Sequence, residues 1–300
     1  MIDISHKRNT LRYARASGKL TTKPEIIDWI KKNKVPKGDV GEIARSAGIQ
    51  AAKRASDWMV FCHSLPLDWV EVSMTLEEDS VIFTAEVRTV WKTGVEMEAM
   101  IAVSAALLNA YDMLKPLQTD ITISEIRLEE KTGGKSDWKD SFDHPLKTAL
   151  LSVDSEKKSG RRADRSVGVI RDFLQDYPVE FIVDEKLEAE TDIVRHRLQE
   201  LIDHGDTELV LLCGSTGPNP DDVTPGLIRE LSDREIPGIG EAMRQYGLQR
   251  TPHAMISGQV AGLRNKTLMI ALPGSSRGAE ESLHALFPGL LHIFKVIRKG

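Results

Sequence analysis

Apolar residues recur along the first 130 residues with two different periods. A period of about 3.6 residues, typical of amphipathic helices, predicts helices over residues 24–33, 40–55 and 94–115. Alternating or short apolar runs predict strands over residues 58–62, 69–77, 81–91 and 121–130. Polar residues 77–80 lie between two of these strands and predict a hairpin turn. Helices mixed with antiparallel strands predict an α+β fold with helices on one face of a sheet.

The third predicted helix contains the longest apolar segment of the first half. Residues 99–114 are mostly Ala, Met, Ile, Val and Leu, so this helix should be largely buried. Thr93 and Glu96 match the Thr-x-x-Glu capping box, and Glu98 lies in the first turn, where the helix dipole favours a carboxylate. Glu96 taken alone is therefore explained as well by capping as by function.

After residue 147 the pattern changes to alternating strands and helices. Strands are predicted over residues 148–153, 180–183, 208–213 and 266–272. Helices are predicted over residues 166–175 and 188–203. This alternation predicts a doubly wound α/β sheet. Glycine-containing turns follow two of the strands, at the edge where such sheets bind ligands.

A polar segment separates the two patterns. Residues 132–146 contain glycine and show no clear period, which is typical of a linker. We therefore expect a first domain over residues 1–136, a linker over residues 137–146 and a second domain over residues 147–300. A chain of 300 residues is long enough for two domains with separate cores.

The composition is that of an ordinary globular chain, with 41% hydrophobic and 28% charged residues. The net charge of −5 gives no overall positive field that would recruit nucleic acid. Cys62 and Cys213 fall in different predicted domains, so we expect a reducing cytoplasm rather than a disulfide framework. The first residues lack the apolar core of a signal peptide, and no apolar run of about 18 residues predicts a membrane span.

Two places in the first half suggest ligand contacts. Lys37 precedes Asp39, which forms a second capping box with Glu42, and a lysine beside the backbone N–H groups of a helix start favours anion binding. Cys62 and His63 follow an apolar predicted strand, and ligand contacts are common where elements end. Taken singly, a solvated lysine and a core histidine are the simpler explanations.

Asp112 and Lys115 lie one turn apart near the end of the long helix. As a surface ion pair they would contribute about 0.2–0.5 kcal/mol. Glu98, near the start of the same helix, is 14 positions from Asp112, which corresponds to about 21 Å along the axis. One compact site can hardly contain both from the same chain. If both serve one site, a neighbouring subunit must supply one of them.

In their order along the chain, these residues resemble the cyclic pyranopterin monophosphate synthase family of molybdenum cofactor biosynthesis. The resemblance runs in register from Met1-Ile2-Asp3-Ile4-Ser5 through Ala51-Ala52-Lys53 to Gly133-Gly134-Lys135. It departs at Ser64, where the family has proline after Cys-His. That change is expected to loosen the loop that holds His63.

This resemblance implies a reaction and a set of roles. The family converts a 3′,8-cyclised dihydroguanosine triphosphate into cyclic pyranopterin monophosphate and releases pyrophosphate. The implied catalytic positions are Lys37, Asp112, Lys115 and Lys131. The implied substrate-binding positions are Cys62, His63, Glu96, Met97 and Glu98. Clustered lysines are expected to lower one another's pKa, while an aspartate keeps some of them charged. The family is a hexamer with active sites between subunits, which implies a hexameric or trimer-based homo-oligomer.

The second half resembles the molybdopterin adenylyltransferase family, with its molybdopterin-binding fold. The matching segments are residues 214–217, 221–225, 233–235, 237–241 and 272–275. The family has glycine where this chain has Ser215, which would strain the backbone if φ is positive there. The first loop, residues 152–155, only approximates the family's pattern.

The family transfers AMP from ATP to molybdopterin and releases pyrophosphate. The implied substrate-binding positions are Gly214, Ser215, Thr216, Gly217, Pro273, Gly274 and Ser275. Asp184 and Asp222 match its functional aspartates, and Asp222 is the implied ligand of Mg²⁺, since a carboxylate beside a triphosphate needs a cation between them. In the alternative, Asp222 caps the helix that Pro225 helps to start, and Asp184 is an ordinary loop carboxylate.

Together these observations predict a bifunctional, cytoplasmic enzyme of molybdenum cofactor biosynthesis. The first domain is expected to be a ferredoxin-like α+β fold and the second a doubly wound, Rossmann-like α/β fold. The expected partners are the cyclised nucleotide, molybdopterin, ATP and further copies of the chain, with no nucleic acid and no membrane. The alternative is a second domain that binds pterin or nucleotide without catalysis, which Ser215 and the altered first loop favour.

Overall fold

The computed structural model describes residues 1–138, 140–154, 161–203 and 206–299; of these, residues 135, 136, 161–164 and 299 are described by their backbone alone. The chain forms two compact units, Met1–Asp137 and Trp138–Gly300. The boundary falls at the start of the predicted linker. Farther along that segment, Phe142 packs against the core of the second unit, and Asp140 Oδ1 lies 2.6 Å from Lys295 Nζ.

The first unit runs in the order strand, three helices, two strands, helix, strand. Its elements are β1 (Thr10–Thr21), α1 (Pro24–Lys31), α2 (Val40–Ala52), α3 (Ala55–Trp58), β2 (Trp69–Leu76), β3 (Ser80–Trp91), α4 (Glu96–Leu114) and β4 (Thr122–Thr132). The predicted helices are confirmed as α1, α2 and α4, and three of the predicted strands as β2, β3 and β4.

Within the described residues, the strands of the first unit form one antiparallel sheet in the order β2-β3-β1-β4. Val72 and Phe83 of the sheet share a buried core with Ala44 of α2 and Val103 of α4. The mixed helix and strand architecture predicted from the sequence is confirmed.

The sequence pattern missed β1, although it is a central strand of the sheet. Its inward positions hold Arg12, Ala14, Ala16, Gly18 and Leu20, a set with few large apolar side chains. Small residues are needed here because α4 lies close: a Cβ on Gly18 would come within 2.7 Å of the Leu107 side chain. Close packing therefore removed the apolar alternation that marks a strand.

The strand predicted over residues 58–62 is wrong. Trp58 ends the short helix α3, and the N–H of Cys62 donates to the carbonyl oxygen of Met59 in a turn. Val60 and Phe61 are 85% and 76% exposed in this unit. The apolar run that suggested a buried strand thus lies at the surface, and Cys62 and His63 lie on a loop.

The long helix α4 is the central helix of the first core. It is long and apolar enough to cross a membrane by length and composition, but its buried stripe, which includes Ala99, Ala106 and Ala110, packs inside the unit. Its composition is that of a core helix in contact with a sheet. The capping box predicted at its start is wrong, because the residue at the N-cap is Val95. The box at α2 is half confirmed: the Asp39 carboxylate accepts the N–H of Glu42 at 3.0 Å.

The second unit alternates strands and helices. Its elements are β5 (Leu146–Asp154), α5 (Arg161–Leu174), β6 (Val179–Glu188), α6 (Thr191–Asp203), β7 (Leu209–Cys213), α7 (Thr224–Leu231), β8 (Arg234–Glu235), α8 (Pro237–Leu248), β9 (Ala261–Arg264), β10 (Thr267–Leu272), α9 (Ser276–Leu286) and α10 (His292–Lys299). Every strand and helix predicted here is present, α7 is the helix that Pro225 helps to start, and the sequence pattern missed the elements β8, α8, β9, α9 and α10.

Among the described residues, the second sheet has the order β6-β5-β7-β10-β9-β8. Its first four strands are parallel, β9 is antiparallel to β10, and β8 is antiparallel to β9. Alternate residues of β7 enter different cores: Leu211 packs with α5, α8 and α9, while Leu212 packs with α6 and α7. Helices thus cover both faces, as the doubly wound prediction requires. The strand order reverses between β5 and β7, so their carboxyl ends form a crevice suited to a ligand.

Candidate functional sites

The first unit has a cavity of about 630 Å³ between its N-terminal segment, the loop after α3 and the start of α4. All five predicted substrate-binding residues line it: Cys62, His63, Glu96, Met97 and Glu98. Nε2 of His63 lies 2.9 Å from the carbonyl oxygen of Ile2, so the N-terminal segment lies over the histidine. His63 is half-buried on a loop, which rules out the alternative of a core histidine.

Lys131 belongs to this end of the unit. It lies near the end of β4, and its Nζ is 3.3 Å from Oε1 of Glu96. The resemblance had grouped Lys131 with Asp112. The structure does not bring them together in one chain, because Glu96 begins α4 whereas Asp112 lies in its last turn.

Arg12 is a buried residue at this site that the sequence analysis missed. It is 9% exposed, and its guanidinium donates to the carbonyl oxygens of Trp91 and Lys92 at 3.3 and 3.4 Å. Burial lowers its pKa, while the nearby carboxylates of Glu96 and Asp137 raise it. Arg12 therefore holds the segment that leads into α4. Nothing in the sequence pattern marked it, because the strand that contains it, β1, was not predicted.

Glu98 is 4% exposed, and burial raises its pKa to about 7, with a smaller contribution from the like charge of Glu96. Burial also raises the pKa of the Cys62 thiol, and the charge of Glu98 adds to this effect. A carboxyl group that titrates near neutral pH can hold or release a proton in the cavity.

Glu98→Gln should stabilise the first unit at pH 8. Between a pKa of 4.5 when unfolded and about 7 when folded, the folded state binds more protons, so stability falls as pH rises through this range. The ionised carboxylate costs on the order of 3 kcal/mol above pH 7. Differential scanning calorimetry should show a higher Tm for the first unit's transition in the variant at pH 8, and none of this difference near pH 4.5.

Glu25→Gln is a matched control, because Glu25 is exposed on α1. It should leave the Tm of the first unit close to that of wild type at both pH values. A Glu98→Gln protein that is less stable than wild type at pH 8 would contradict the assigned burial cost.

The opposite end of α4 carries a cluster of Lys37, Asp112 and Lys115. Nζ of Lys37 is 2.7 Å from Asp112 Oδ2 and 2.8 Å from the Asp112 carbonyl oxygen, and Nζ of Lys115 is 2.7 Å from Asp112 Oδ1. Hydrogen bonds from Lys115 and then Lys37 lower the pKa of Asp112 to about 2.

The pKa of Lys115 is raised, because Asp112 stabilises its charged form. The expectation that clustering lowers lysine pKa values is therefore wrong for Lys115. Since α4 is one continuous helix from Glu96 to Leu114, the predicted separation of the two groups along its axis is confirmed. The first unit thus presents two chemically different clusters of predicted site residues at the two ends of one helix.

The second unit has a cavity of about 500 Å³ at the carboxyl ends of β5, β7 and β10. The predicted residues that line it are Gly214, Ser215, Thr216, Gly217, Asp222, Gly274 and Ser275. Pro273 is not among the described lining residues; its carbonyl oxygen lies 3.4 Å from Sγ of Cys213. Of the predicted first loop, residues 152–154 instead end the strand β5, Val153 and Asp154 line the cavity, and Ser155 lies outside the described residues.

Two arginines at this cavity were missed. Arg165 and Arg277 both line it, beside the N-terminus of α9. Ser275 is the N-cap of α9, and its hydroxyl accepts the N–H of Gly278 at 3.2 Å. The start of α9 and two guanidinium groups make this part of the cavity suited to anions, although Nε of Arg277 also lies 2.8 Å from Oε1 of Glu281.

Asp222 lies between this cavity and a second one of about 750 Å³, whose other acidic lining residues are Asp154, Glu188, Glu190, Asp192 and Asp221. Oδ2 of Asp222 accepts the N–H of Asn219 at 3.1 Å, and a Cβ on Gly217 would collide with this carboxylate. The N-cap of α7 is Val223, so the alternative that Asp222 caps this helix is wrong.

The structure does not bring Asp184 to Asp222. Asp184 lies within β6, paired in register with Leu150, and forms an ion pair with Arg171 of α5. In the described part of the chain, it is not among the residues that line either cavity. It is a strand residue rather than the loop residue expected, because β6 continues to Glu188.

Comparison with known proteins identifies both halves. The model of the MoaC family matches residues 1–134, and that of the probable molybdopterin binding domain matches residues 149–292. A molybdenum cofactor biosynthesis bifunctional protein from Chlorobaculum tepidum is 36% identical over 99% of this chain and 94% of its own length. The chain belongs to this bifunctional family. Both resemblances drawn from the sequence are thereby confirmed.

Two further similarities each concern one half. The cyclic pyranopterin monophosphate synthase of Aquifex aeolicus is 47% identical over 46% of this chain and 54% of its own length. The solved structure of the molybdopterin biosynthesis enzyme MoaB from Thermus thermophilus is 38% identical, with a TM-score of 0.48, and the match covers 52% of this chain and 98% of that one.

Proposed function

We propose that the first unit converts the 3′,8-cyclised dihydroguanosine triphosphate into cyclic pyranopterin monophosphate and pyrophosphate. The observation that carries this proposal is the pair of half-sites on α4. Lys37, Asp112 and Lys115 form one of them, and the Glu96–Lys131 pair beside the cavity forms the other. Such a substrate needs cations for its phosphates and a proton donor or acceptor near neutral pH.

The pKa shifts suggest how these residues divide the work. Asp112, with a pKa of about 2, stays ionised at neutral pH and holds the two lysines in place. Lys115, with a raised pKa, stays protonated and serves as a cation for phosphate oxygens. Glu98, with a pKa of about 7, is the group best placed to hold or release a proton in the cavity.

We further propose that the active enzyme is a homo-oligomer, hexameric or trimer-based, whose sites combine one half-site from each of two subunits. The length of α4 supports this, because 19 residues extend for about 28 Å. The strand order β2-β3-β1-β4, with the connections of a βαββαβ chain, supports a ferredoxin-like classification of this unit. We place the protein in the cytoplasm, in keeping with its free cysteines Cys62 and Cys213.

Lys37→Ala should lower the rate of cyclic pyranopterin monophosphate formation by at least about 10²-fold. The change removes the cation that lies 2.7 Å from Asp112 at one half-site. The rate is measured by using chromatography to quantify the product formed from the cyclised nucleotide. Lys32→Ala is the matched control, since Lys32 forms an ion pair of the same length with Asp28 on the surface of α1. Equal rates in the Lys37→Ala and Lys32→Ala proteins would remove Lys37 from the mechanism.

For the second unit we propose transfer of AMP from ATP to molybdopterin, with release of pyrophosphate. Arg165, Arg277 and the start of α9 provide the cationic part of the cavity for phosphate groups. Asp222 would hold Mg²⁺ together with phosphate oxygens of ATP, and the cation would offset charge on the departing pyrophosphate. Glu190 and Asp154, which line the adjacent cavity with Asp222, are better placed than Asp184 to supply a second carboxylate.

A second unit that binds pterin or nucleotide without catalysis is the competing proposal. Two observations favour it: Asp184 is engaged with Arg171, and the described residues contain no group of three or more His, Cys, Asp and Glu side chains able to hold a metal by themselves. Pyrophosphate release from ATP in the presence of molybdopterin separates the two proposals. A wild-type protein that binds molybdopterin but releases no pyrophosphate would support binding alone.

A further inference from the structure

The turn after β7 contains two consecutive residues with positive φ, Gly214 at 107° and Ser215 at 51°. Position 214 requires glycine, because a Cβ there would collide with the carbonyl oxygen of Val153. Ser215 carries a side chain, and a side chain in the left-handed region strains the backbone. Strain of this kind persists where surrounding contacts hold the residue in place. The contacts of the serine hydroxyl are therefore what needs explaining.

The Ser215 hydroxyl joins the two ends of the loop over residues 214–224. It accepts the N–H of Val223 at 2.9 Å and donates to the carbonyl oxygen of Asp221 at 3.3 Å. The Ser215 carbonyl oxygen accepts the N–H of Thr224 at 3.2 Å. These contacts lie on both sides of Asp222 in the chain. A glycine at this position would remove the strain but also both hydroxyl contacts.

The carboxylate between these contacts has little freedom of its own. Asp222 Oδ2 accepts the N–H of Asn219 at 3.1 Å and lies against Gly217, where a side chain would collide with it. The loop thus closes on itself through Ser215 near its start and Asp222 near its end. Movement of the backbone at residues 221–223 would shift the carboxylate relative to the cavity.

We propose that Ser215 is a positioning residue, whose hydroxyl fixes the backbone on both sides of Asp222 and so directs its carboxylate into the cavity. The effect on catalysis rests on the function proposed for the second unit. The hydroxyl takes no part in the reaction itself. A glycine here would leave the loop free to move. The serine hydroxyl instead tethers residues 221 and 223 through its two hydrogen bonds, while its own φ is strained.

Two substitutions separate the tether from the strain. Ser215→Gly removes both, whereas Ser215→Ala removes the hydroxyl and keeps a Cβ in the left-handed region. Both variants should lower kcat for adenylyl transfer about tenfold or more, with KM for molybdopterin unchanged, because the binding groups remain while Asp222 is misplaced. Ser215→Ala should also melt at a lower temperature than Ser215→Gly.

Coupling to Asp222 distinguishes positioning from general stability. In an Asp222→Asn background, Ser215→Gly should have no further effect on kcat, since the group it positions is already disabled. Asn265→Gly is the control for strain relief, because Asn265 has a φ of 52° in the turn between β9 and β10. It should alter melting temperature without altering kcat. A Ser215→Gly protein with wild-type kcat would overturn the proposal.

Hydrogen exchange gives a readout that needs no activity. In the ligand-free protein, the amides of Val223 and Asn219 should lose protection in both Ser215 variants, because one bonds to the hydroxyl and the other to the carboxylate that it positions. Unchanged protection of Asn219 would also overturn the proposal. If wild-type protein forms no adenylylated product, the proposed function fails, and the exchange result still decides the role of Ser215.

Discussion

Mixing two inactive variants of the first unit should restore about a quarter of wild-type activity if each site joins half-sites of neighbouring subunits. The variants are Lys131→Ala, which is defective beside the cavity, and Asp112→Ala, which is defective at the far end of α4. Each alone should be at least about 10²-fold slower than wild type. In randomly mixed oligomers, about one site in four would combine the two intact half-sites.

A second mixture is the matched control. Lys37→Ala and Asp112→Ala damage the same half-site, since Lys37 and Asp112 are in direct contact. Mixing these two variants should restore nothing, because every site then contains a defective half. Mixed oligomers must first be demonstrated, for example by capture through a tag on one variant. Failure of Lys131→Ala and Asp112→Ala to rescue each other in such oligomers would exclude shared sites, and a monomer at working concentration would exclude them as well.

Asp222→Asn should slow adenylylation by the second unit at least about 10²-fold. Asparagine keeps the size of the side chain and an oxygen that can accept the N–H of Asn219, but it removes the negative charge. We expect normal folding and retained molybdopterin binding, checked by melting temperature and by binding titration. First-unit activity should be unchanged, because the two units have separate cores.

Asp184→Asn tests whether this aspartate takes part in adenylylation. Asp184 forms an ion pair with Arg171 on β6, away from the described lining of both cavities. Its variant should keep adenylylation while Glu190→Gln, beside Asp222, should reduce it.

Equal adenylylation by wild type and Asp222→Asn would remove Asp222 from the mechanism. The absence of product from wild type would favour a second unit that only binds its ligand.

Local patterns carried a large part of the fold. Three examples are the apolar run of α4, the alternation in β2 and β3, and the strand followed by a turn at residues 209–217. In each, the periodic burial of side chains along one helix or strand leaves a pattern in the sequence. Helix spacing also indicated that Glu98 and Asp112 lie too far apart to share one compact site within one chain. These properties depend on neighbours in sequence, so they can be predicted from it.

The missed elements depend on contacts between distant parts of the chain. The strand β1 pairs with β3 and β4, and its inward positions are small because α4 packs against them. Without that packing, its sequence shows no strand period. The apolar residues before Cys62 led to the opposite error, a strand predicted where there is none. Val60 and Phe61 are exposed in this unit, so their apolar character does not reflect burial in a sheet.

The sequence by itself determined the two-part organisation, the two family resemblances and the segments from which the sites are built. Tertiary structure decided which side chains meet. It placed Lys131 with Glu96 rather than Asp112, and it kept Asp184 on an edge strand away from Asp222. The physical reason is that periodicity reports only whether a residue is buried. Which partner it reaches depends on strand register, helix length and loop closure, which long-range packing decides.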